Sequence, residues 1–106
     1  MNLQKKKMIT SEEIKVNLDE KLCYINNEPI KLTKTEFNIL VFFLLNPNRV
    51  YTRRELADNI WTNEVSDRAV DVNITRLRKK LGNSGKRIYT RNGFGYGFKE
   101  NETRTN

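Results

Sequence analysis

Residues 66–81 read SDRAVDVNITRLRKKL, and the reading of this stretch decides how the rest of the chain is organised. Val70, Ile74, Leu77 and Leu81 recur at i, i+4, i+7 and i+11, the spacing of one apolar stripe on a helix. At about 100° per residue, Arg68, Ala69, Val72, Thr75, Arg76 and Lys79 fall on the opposite side, with Asn73 and Lys80 at the flank. Cations, short amide and hydroxyl groups and small apolar residues therefore share one face. That mixture suits the major groove of DNA, where arginine pairs with guanine, asparagine with adenine, and an apolar group meets the thymine methyl. Taken alone, the same helix reads equally well as a solvated basic surface helix with an ordinary core stripe.

Charge separates the two readings. The chain has 106 residues and a net charge of +7. Residues 66–99 hold nine Lys/Arg against two Asp, whereas residues 1–65 hold ten against nine. A basic patch confined to one part of a chain is the electrostatic footprint of a polyanionic partner. Histidine is absent, which removes the commonest general base and metal ligand, and Cys23 is alone, which rules out an internal disulfide. No catalytic residues, cofactor or metal are expected, and an enzyme is the least favoured class. The longest apolar run, Ile39 to Leu45, is seven residues, too short for a membrane span. The opening MNLQKKK lacks an apolar segment behind its lysines, so it is not a secretory signal, and the lone cysteine suits a reducing cytoplasm.

The preceding chain supplies a frame for the helix. Residues 1–10 are polar and aperiodic and read as a linker or disordered arm. Ile14, Val16 and Leu18 alternate with Lys15 and Asn17 as a half-buried strand. Leu22 to Ile25 form a second strand, Asn26-Asn27 a tight turn, and Pro29 to Leu32 a third strand. Thr33 with Glu36, and Thr52 with Glu55, have the spacing of capping boxes. Each is bracketed by a hydrophobic staple pair, Leu32 with Phe37 and Tyr51 with Leu56. The first helix, nearly all apolar, is expected at the centre of the core and is stopped by Asn46-Pro47-Asn48. The second buries Leu56, Ile60 and Trp61. A short polar loop, Thr62 to Val65, then leads into the helix at 66–81, giving the frame of a helix-turn-helix.

Gly82 stops that helix, and Asn83-Ser84-Gly85 reads as flexible. The following KRIYTRNGFGYGFK reads as a basic hairpin turning at Asn92-Gly93-Phe94-Gly95. Its glycines lie between two strands with no helix after them, so turn geometry explains them and a nucleotide-phosphate loop does not. The expected architecture is α+β: a winged helix-turn-helix with an N-terminal antiparallel β-sheet, three helices and a C-terminal β-hairpin wing. Its domain would span 11–99, with residues 100–106 as a disordered tail.

Several ordered motifs resemble the DNA-binding effector domain of OmpR/PhoB-type response regulators. They are Leu32-Thr33 with Glu36-Phe37, Arg53/Arg54-Glu55-Leu56, Trp61, the run from Arg68 through Val70-Asp71-Val72, Ile74 and Arg76-Leu77-Arg78-Lys79-Lys80-Leu81, and Ile88, Thr90, Gly93, Gly95-Tyr96 and Phe98. The resemblance implies a four-stranded N-terminal sheet and binding to direct repeats of double-stranded DNA as a head-to-tail tandem dimer. It also implies a receiver domain ahead of this one, so that the chain is expected to be an excised effector domain. A contact between loop residues Thr62, Asn63, Glu64, Val65 and RNA polymerase is implied as well. Three departures stand out. Asn73 replaces a common His, Thr75 a frequent basic residue, and Arg91-Asn92 the usual hydrophobic-Arg pair, whose arginine reaches the minor groove.

Candidate DNA-binding roles follow. Arg76 lies mid-helix opposite the apolar stripe and is the first choice for a base contact, against a phosphate contact. Val72, Asn73 and Thr75 are candidates for base edges, methyls or backbone. Arg68 and Lys79 read as phosphate clamps, and Lys80 flanks them. For Arg78 an intradomain ion pair, with Asp71 as candidate partner, competes. Thr52, Arg53 and Arg54 sit at a helix N-terminus, a natural phosphate site, though solvated surface is the alternative for one of the two arginines. Arg91 or Asn92 would serve in the wing. Trp61, Phe37 and Tyr96 read as core residues rather than nucleic-acid stackers. The rival readings are a non-specific or RNA-binding basic module and a protein-binding winged helix.

Overall fold

Among the described residues, each of the three α-helices starts where a side chain satisfies an exposed backbone N–H group. The computed structural model describes residues 7–100. Four short strands come first, β1 (Met8–Ser11), β2 (Ile14–Asn17), β3 (Leu22–Ile25) and β4 (Glu28–Ile30), joined in sequence order as one antiparallel sheet. Alternation buries Ile14 and Val16 of β2 and Cys23 of β3 on one face. Burial pushes the Cys23 thiol up to about 11, so it packs as a small apolar group.

Helix α1 (Lys34–Leu45) is capped by Thr33: its hydroxyl accepts from the Glu36 N–H at 3.1 Å and its own N–H donates to Glu36 Oε1 at 2.9 Å. Helix α2 (Arg53–Ile60) repeats the device with Thr52 and Glu55. Helix α3 (Asp67–Leu81) begins at Ser66, whose Oγ accepts from the Ala69 N–H at 3.1 Å. It ends at Gly82, whose φ of 62° turns the chain out of the helix. Strands β5 (Ile88–Arg91) and β6 (Gly95–Phe98) close the chain as an antiparallel hairpin.

The core lies between the sheet, α1 and the apolar stripe of α3. Leu40, Phe43, Ile74, Leu77 and Phe98 have no exposed surface. The rings of Phe43 and Phe98 lie nearly parallel with centroids 6.4 Å apart, joining α1 to the hairpin. Burying each such side chain is worth about 1.5–3 kcal/mol. Among the described residues no helix is long and apolar enough to cross a membrane.

Three expectations change. Met8, Ile9 and Thr10 belong to β1, which pairs with β2 from Met8↔Asn17 to Ser11↔Ile14, so the arm assigned to 1–10 ends earlier; residues 1–6 lie outside the described residues. The sheet thus has the four strands that the resemblance implies, one more than alternation revealed. Asn83-Ser84-Gly85, read as flexible, lies within a 3-10 helix, Gly82–Arg87, and buried Ser84 donates to Glu13. Glu100 is held by its N–H to Asn48 Oδ1 at 3.1 Å, which takes it out of the tail; residues 101–106 lie outside the described residues. Contacts between residues far apart in the chain decide the strand and hold Ser84 and Glu100, whereas the 3-10 turns of Gly82–Arg87 are local.

Candidate nucleic-acid interface

The apolar stripe of α3 orients its other face. Val70, Ile74, Leu77 and Leu81 are at most 2% exposed, which turns Arg68, Thr75, Arg76 and Lys79 to solvent; Val72 and Asn73 are half-buried at the margin. Among the described residues, Arg68, Arg76 and Lys79 make no hydrogen bond or ion pair within the chain. Arg54, on the first turn of α2, is exposed and equally free. Thr52 accepts the Glu55 N–H with its hydroxyl oxygen, so its hydroxyl hydrogen remains available to an acceptor.

The wing is fixed beside these groups by backbone pairing. Tyr51 and Tyr96 exchange N–H···O bonds of 2.8 and 3.0 Å, and the Asn48 N–H donates to the Phe98 carbonyl at 2.7 Å. Strand β6 therefore lies against the segment leading into α2. Gly95 makes that approach possible: a Cβ there would overlap the Tyr51 carbonyl, and its φ of 143° disfavours any side chain. The result is a cleft between α2 and the hairpin tip, lined by Thr52, Arg53, Arg54, Asp67, Arg91 and Asn92.

Asp71 joins the three parts. Its carboxylate accepts from Arg53 Nε at 2.8 Å and Nη2 at 3.1 Å, and from the Tyr96 hydroxyl at 2.6 Å. The Arg53 hydrogen bonds, aided by that of Tyr96, hold the Asp71 carboxyl below the usual range against the opposing effect of burial. Burial and the neighbouring carboxylate push the Tyr96 hydroxyl up.

Residues 27–98 match the family described as the C-terminal domain of transcriptional regulatory proteins. The chain belongs to this family. It is 38% identical over 97 residues to YclJ, an uncharacterized transcriptional regulatory protein of Bacillus subtilis, covering 88% of this chain and 43% of that protein. It is 44% identical over 75 residues to PhoB, the phosphate regulon transcriptional regulatory protein of Escherichia coli, covering 67% and 33%. It thus spans less than half the length of these relatives. Its fold matches the DNA-binding domain of response regulator AdeR, solved with an intercistronic region (TM-score 0.78, 30% identity, 87% and 99% coverage). It also matches the Klebsiella pneumoniae RstA DNA-binding domain, solved with the RstA box (TM-score 0.79, 28% identity, 88% and 97% coverage). The winged helix-turn-helix expected from the sequence is the fold.

Within this C-terminal regulatory domain, several residues expected on the DNA-facing surface have partners inside the protein. Arg78 does not pair with Asp71; its Nε donates to the Ile88 carbonyl at 3.0 Å and its Nη2 to Thr90 Oγ1 at 2.6 Å, tying α3 to β5. Arg53 takes the Asp71 carboxylate instead. Lys80 donates to Glu36 Oε1 at 2.7 Å, across to the buried start of α1. The Asn73 amide donates back to the Ala69 carbonyl at 2.9 Å, so in this rotamer its donor is not offered to a base. Arg91 lies over the Tyr89 ring at 5.2 Å, on the hairpin face opposite Thr90 and Tyr96, while Asn92 stands exposed at the tip.

The charge excess of residues 66–99 is correspondingly divided. Arg78, Lys80 and Arg87 serve internal contacts, Arg87 by donating to the Lys99 and Ser11 carbonyls and to Ser11 Oγ. Arg68, Arg76 and Lys79 on α3, and Lys86, Arg91 and Lys99 around the wing, carry the outward charge. Two further features escape a reading of the sequence for core residues. Tyr96 is buried as expected, yet its hydroxyl donates to Asp71. Phe94 is 69% exposed at the wing tip, and its place between two glycines, off the core alternation, is the signal that marks it. Among the described residues no group of His, Cys, Asp or Glu could hold a metal ion.

Proposed function

We propose that this domain is the DNA-binding effector part of a bacterial response regulator that controls transcription in the cytoplasm. It binds double-stranded DNA sequence-specifically, with α3 in the major groove and the wing on the backbone or adjacent minor groove. The observation that carries this reading is the unpartnered cationic face of α3, Arg68, Arg76 and Lys79 around Thr75, held outward by four buried residues on the opposite side. Modules that read single-stranded RNA present aromatic platforms for unstacked bases. Phe37 and Tyr96 are buried and Trp61 is half-buried, and among the described residues only the ring of Phe94 is exposed, one ring at the wing tip rather than a platform, which favours the duplex.

Arg76 is assigned as the base reader, with Val72 and Thr75 beside it. Arg68 and Lys79 grip phosphates from α3; Thr52 and Arg54 do so from the start of α2, where the helix N-terminus adds its own attraction for an anion. Arg91 carries the wing's cation. Arg53, Arg78 and Lys80 shape the surface rather than read it, since their head groups are held by Asp71, β5 and Glu36. In the full-length protein a receiver domain precedes this one, two copies bind direct repeats head to tail, and the α2–α3 loop with Thr62, Asn63, Glu64 and Val65 meets RNA polymerase.

Selection from random duplex DNA, followed by titration of two variants, tests the reading. Arg76→Ala lowers specific affinity by about 1–3 kcal/mol and relaxes one base position. Lys79→Ala weakens all sequences alike and lowers the salt slope by about one. Recovery of no preferred sequence, or unchanged selectivity in Arg76→Ala, defeats the assignment.

A further inference from the structure

The hairpin tip contains the only Asn-Gly step in the sequence, Asn92-Gly93. Asparagine followed by glycine is the pair most open to spontaneous cyclisation, because no side chain obstructs attack by the following backbone nitrogen. The surroundings here leave that chemistry unopposed. Both residues are exposed, and nothing lies within 4 Å of the position a Gly93 Cβ would take. The turn is closed by the Phe94 N–H donating to the Arg91 carbonyl at 2.9 Å, next to the Arg91↔Gly95 pair of the hairpin. Gly93, in the third position, has the positive φ (85°) that a type II turn requires there, and its N–H lies at the exposed tip. Among the described residues neither that N–H nor the Asn92 amide has a hydrogen-bond partner.

The other asparagine–small-residue step behaves differently. Asn83-Ser84 lies in the 3-10 helix, where Ser84 is buried and donates to Glu13. Asn26-Asn27 is also an exposed turn, but the residue after each of its asparagines carries a side chain.

We infer that Asn92-Gly93 is a site of spontaneous deamidation that places a carboxylate at the tip of the wing. The Gly93 nitrogen attacks the Asn92 side-chain carbonyl carbon, forming an N–Cγ bond. The Cγ–Nδ2 bond breaks, and ammonia leaves with the proton surrendered by the Gly93 nitrogen. Water then opens the five-membered succinimide at either carbonyl, giving aspartate or isoaspartate; solvent is the only co-reactant. Either product sets a negative charge beside Arg91 and across the cleft from Arg54. Isoaspartate also adds a backbone atom to the turn. The effect on binding rests on the reading of the wing as a DNA contact, because a carboxylate there repels phosphate.

The test incubates the purified domain in mildly alkaline buffer and follows two readouts. Peptide mapping by mass spectrometry locates the mass gain of an amide becoming an acid, and titration with the selected duplex measures affinity at matched salt. The expected result is conversion at Asn92 ahead of Asn83, with a several-fold loss of affinity that tracks the converted fraction. Asn92→Asp shows that loss from the start, and Asn92→Gln holds its own starting affinity throughout, because the longer side chain cyclises far more slowly. Absence of the mass gain at Asn92, or its earlier appearance at Asn83, overturns the site. Full conversion with unchanged affinity overturns its consequence. A fresh domain that binds no DNA overturns the proposed function instead, and the mass map still decides the site.

Discussion

Asp71 occupies a position on α3 that sequence pattern assigns to neither face, and its contacts explain why a carboxylate stands in a basic helix. It receives Arg53 from α2 and the Tyr96 hydroxyl from the wing, so one side chain holds three elements together. Its removal has a cost set mainly by the buried partner. In Asp71→Ala the Tyr96 hydroxyl, on a residue 8% exposed, loses its acceptor, and a loss of about 1–3 kcal/mol in urea unfolding is expected. Asp71→Asn keeps an acceptor for Tyr96 and loses the charge facing a half-exposed arginine, which costs about 1 kcal/mol or less. Equal stability of Asp71→Ala and the parent would remove Asp71 from this junction.

At the scale of elements, α3 and the wing are positioned by different means. Helix α3 is seated by its apolar stripe, and the wing by a backbone bridge that only a glycine admits. Gly95→Ala meets the Tyr51 carbonyl and carries φ 143°, so the hairpin must move away from α2. A loss of about 1–3 kcal/mol is expected from backbone strain alone. Amide hydrogen exchange at Tyr51 and Tyr96 should accelerate, while circular dichroism still reports intact helices. Unchanged protection at those two amides would show that the bridge does not hold the wing. The second tie, Arg78 to Ile88 and Thr90, survives that substitution and keeps β5 near α3.

Across the whole molecule, the ion pairs that join distant elements make stability depend on pH. Burial alone would raise the Glu36 carboxyl, but hydrogen bonds from Lys80 and from the Thr33 N–H outweigh it and lower it below its ordinary 4.5. Asp71 is likewise lowered below its ordinary 3.8 by Arg53. A carboxyl with a depressed folded-state value stabilises the protein above its unfolded value, and the contribution is lost as pH falls through the folded one. The urea midpoint should therefore hold steady from about pH 7 to pH 5.5 and decline as pH drops past about 4. Glu36→Gln should be less stable near neutrality and show a shallower decline. An equally steep decline in that variant would mean that Glu36 is not among the groups responsible.

The sequence by itself determined the features whose causes lie within a few residues. Thr33 with Glu36 and Thr52 with Glu55 are three apart, and both capping boxes form where that spacing places them. Val70, Ile74, Leu77 and Leu81 share a face because of helical pitch, which settles the outward direction of Arg68, Arg76 and Lys79 before any tertiary contact is considered. Tertiary structure alone decided which cations remain free. Lys80 finds Glu36 44 residues away, Arg53 finds Asp71 18 away, and Arg78 finds Thr90 12 away. It also made a strand of Met8–Ser11, whose pairing with β2 supplies the hydrogen bonds that its own pattern does not announce. A long cationic side chain can reach solvent or a neighbour at similar energy, and the choice rests on where folding brings a carboxylate or carbonyl, which no local spacing records.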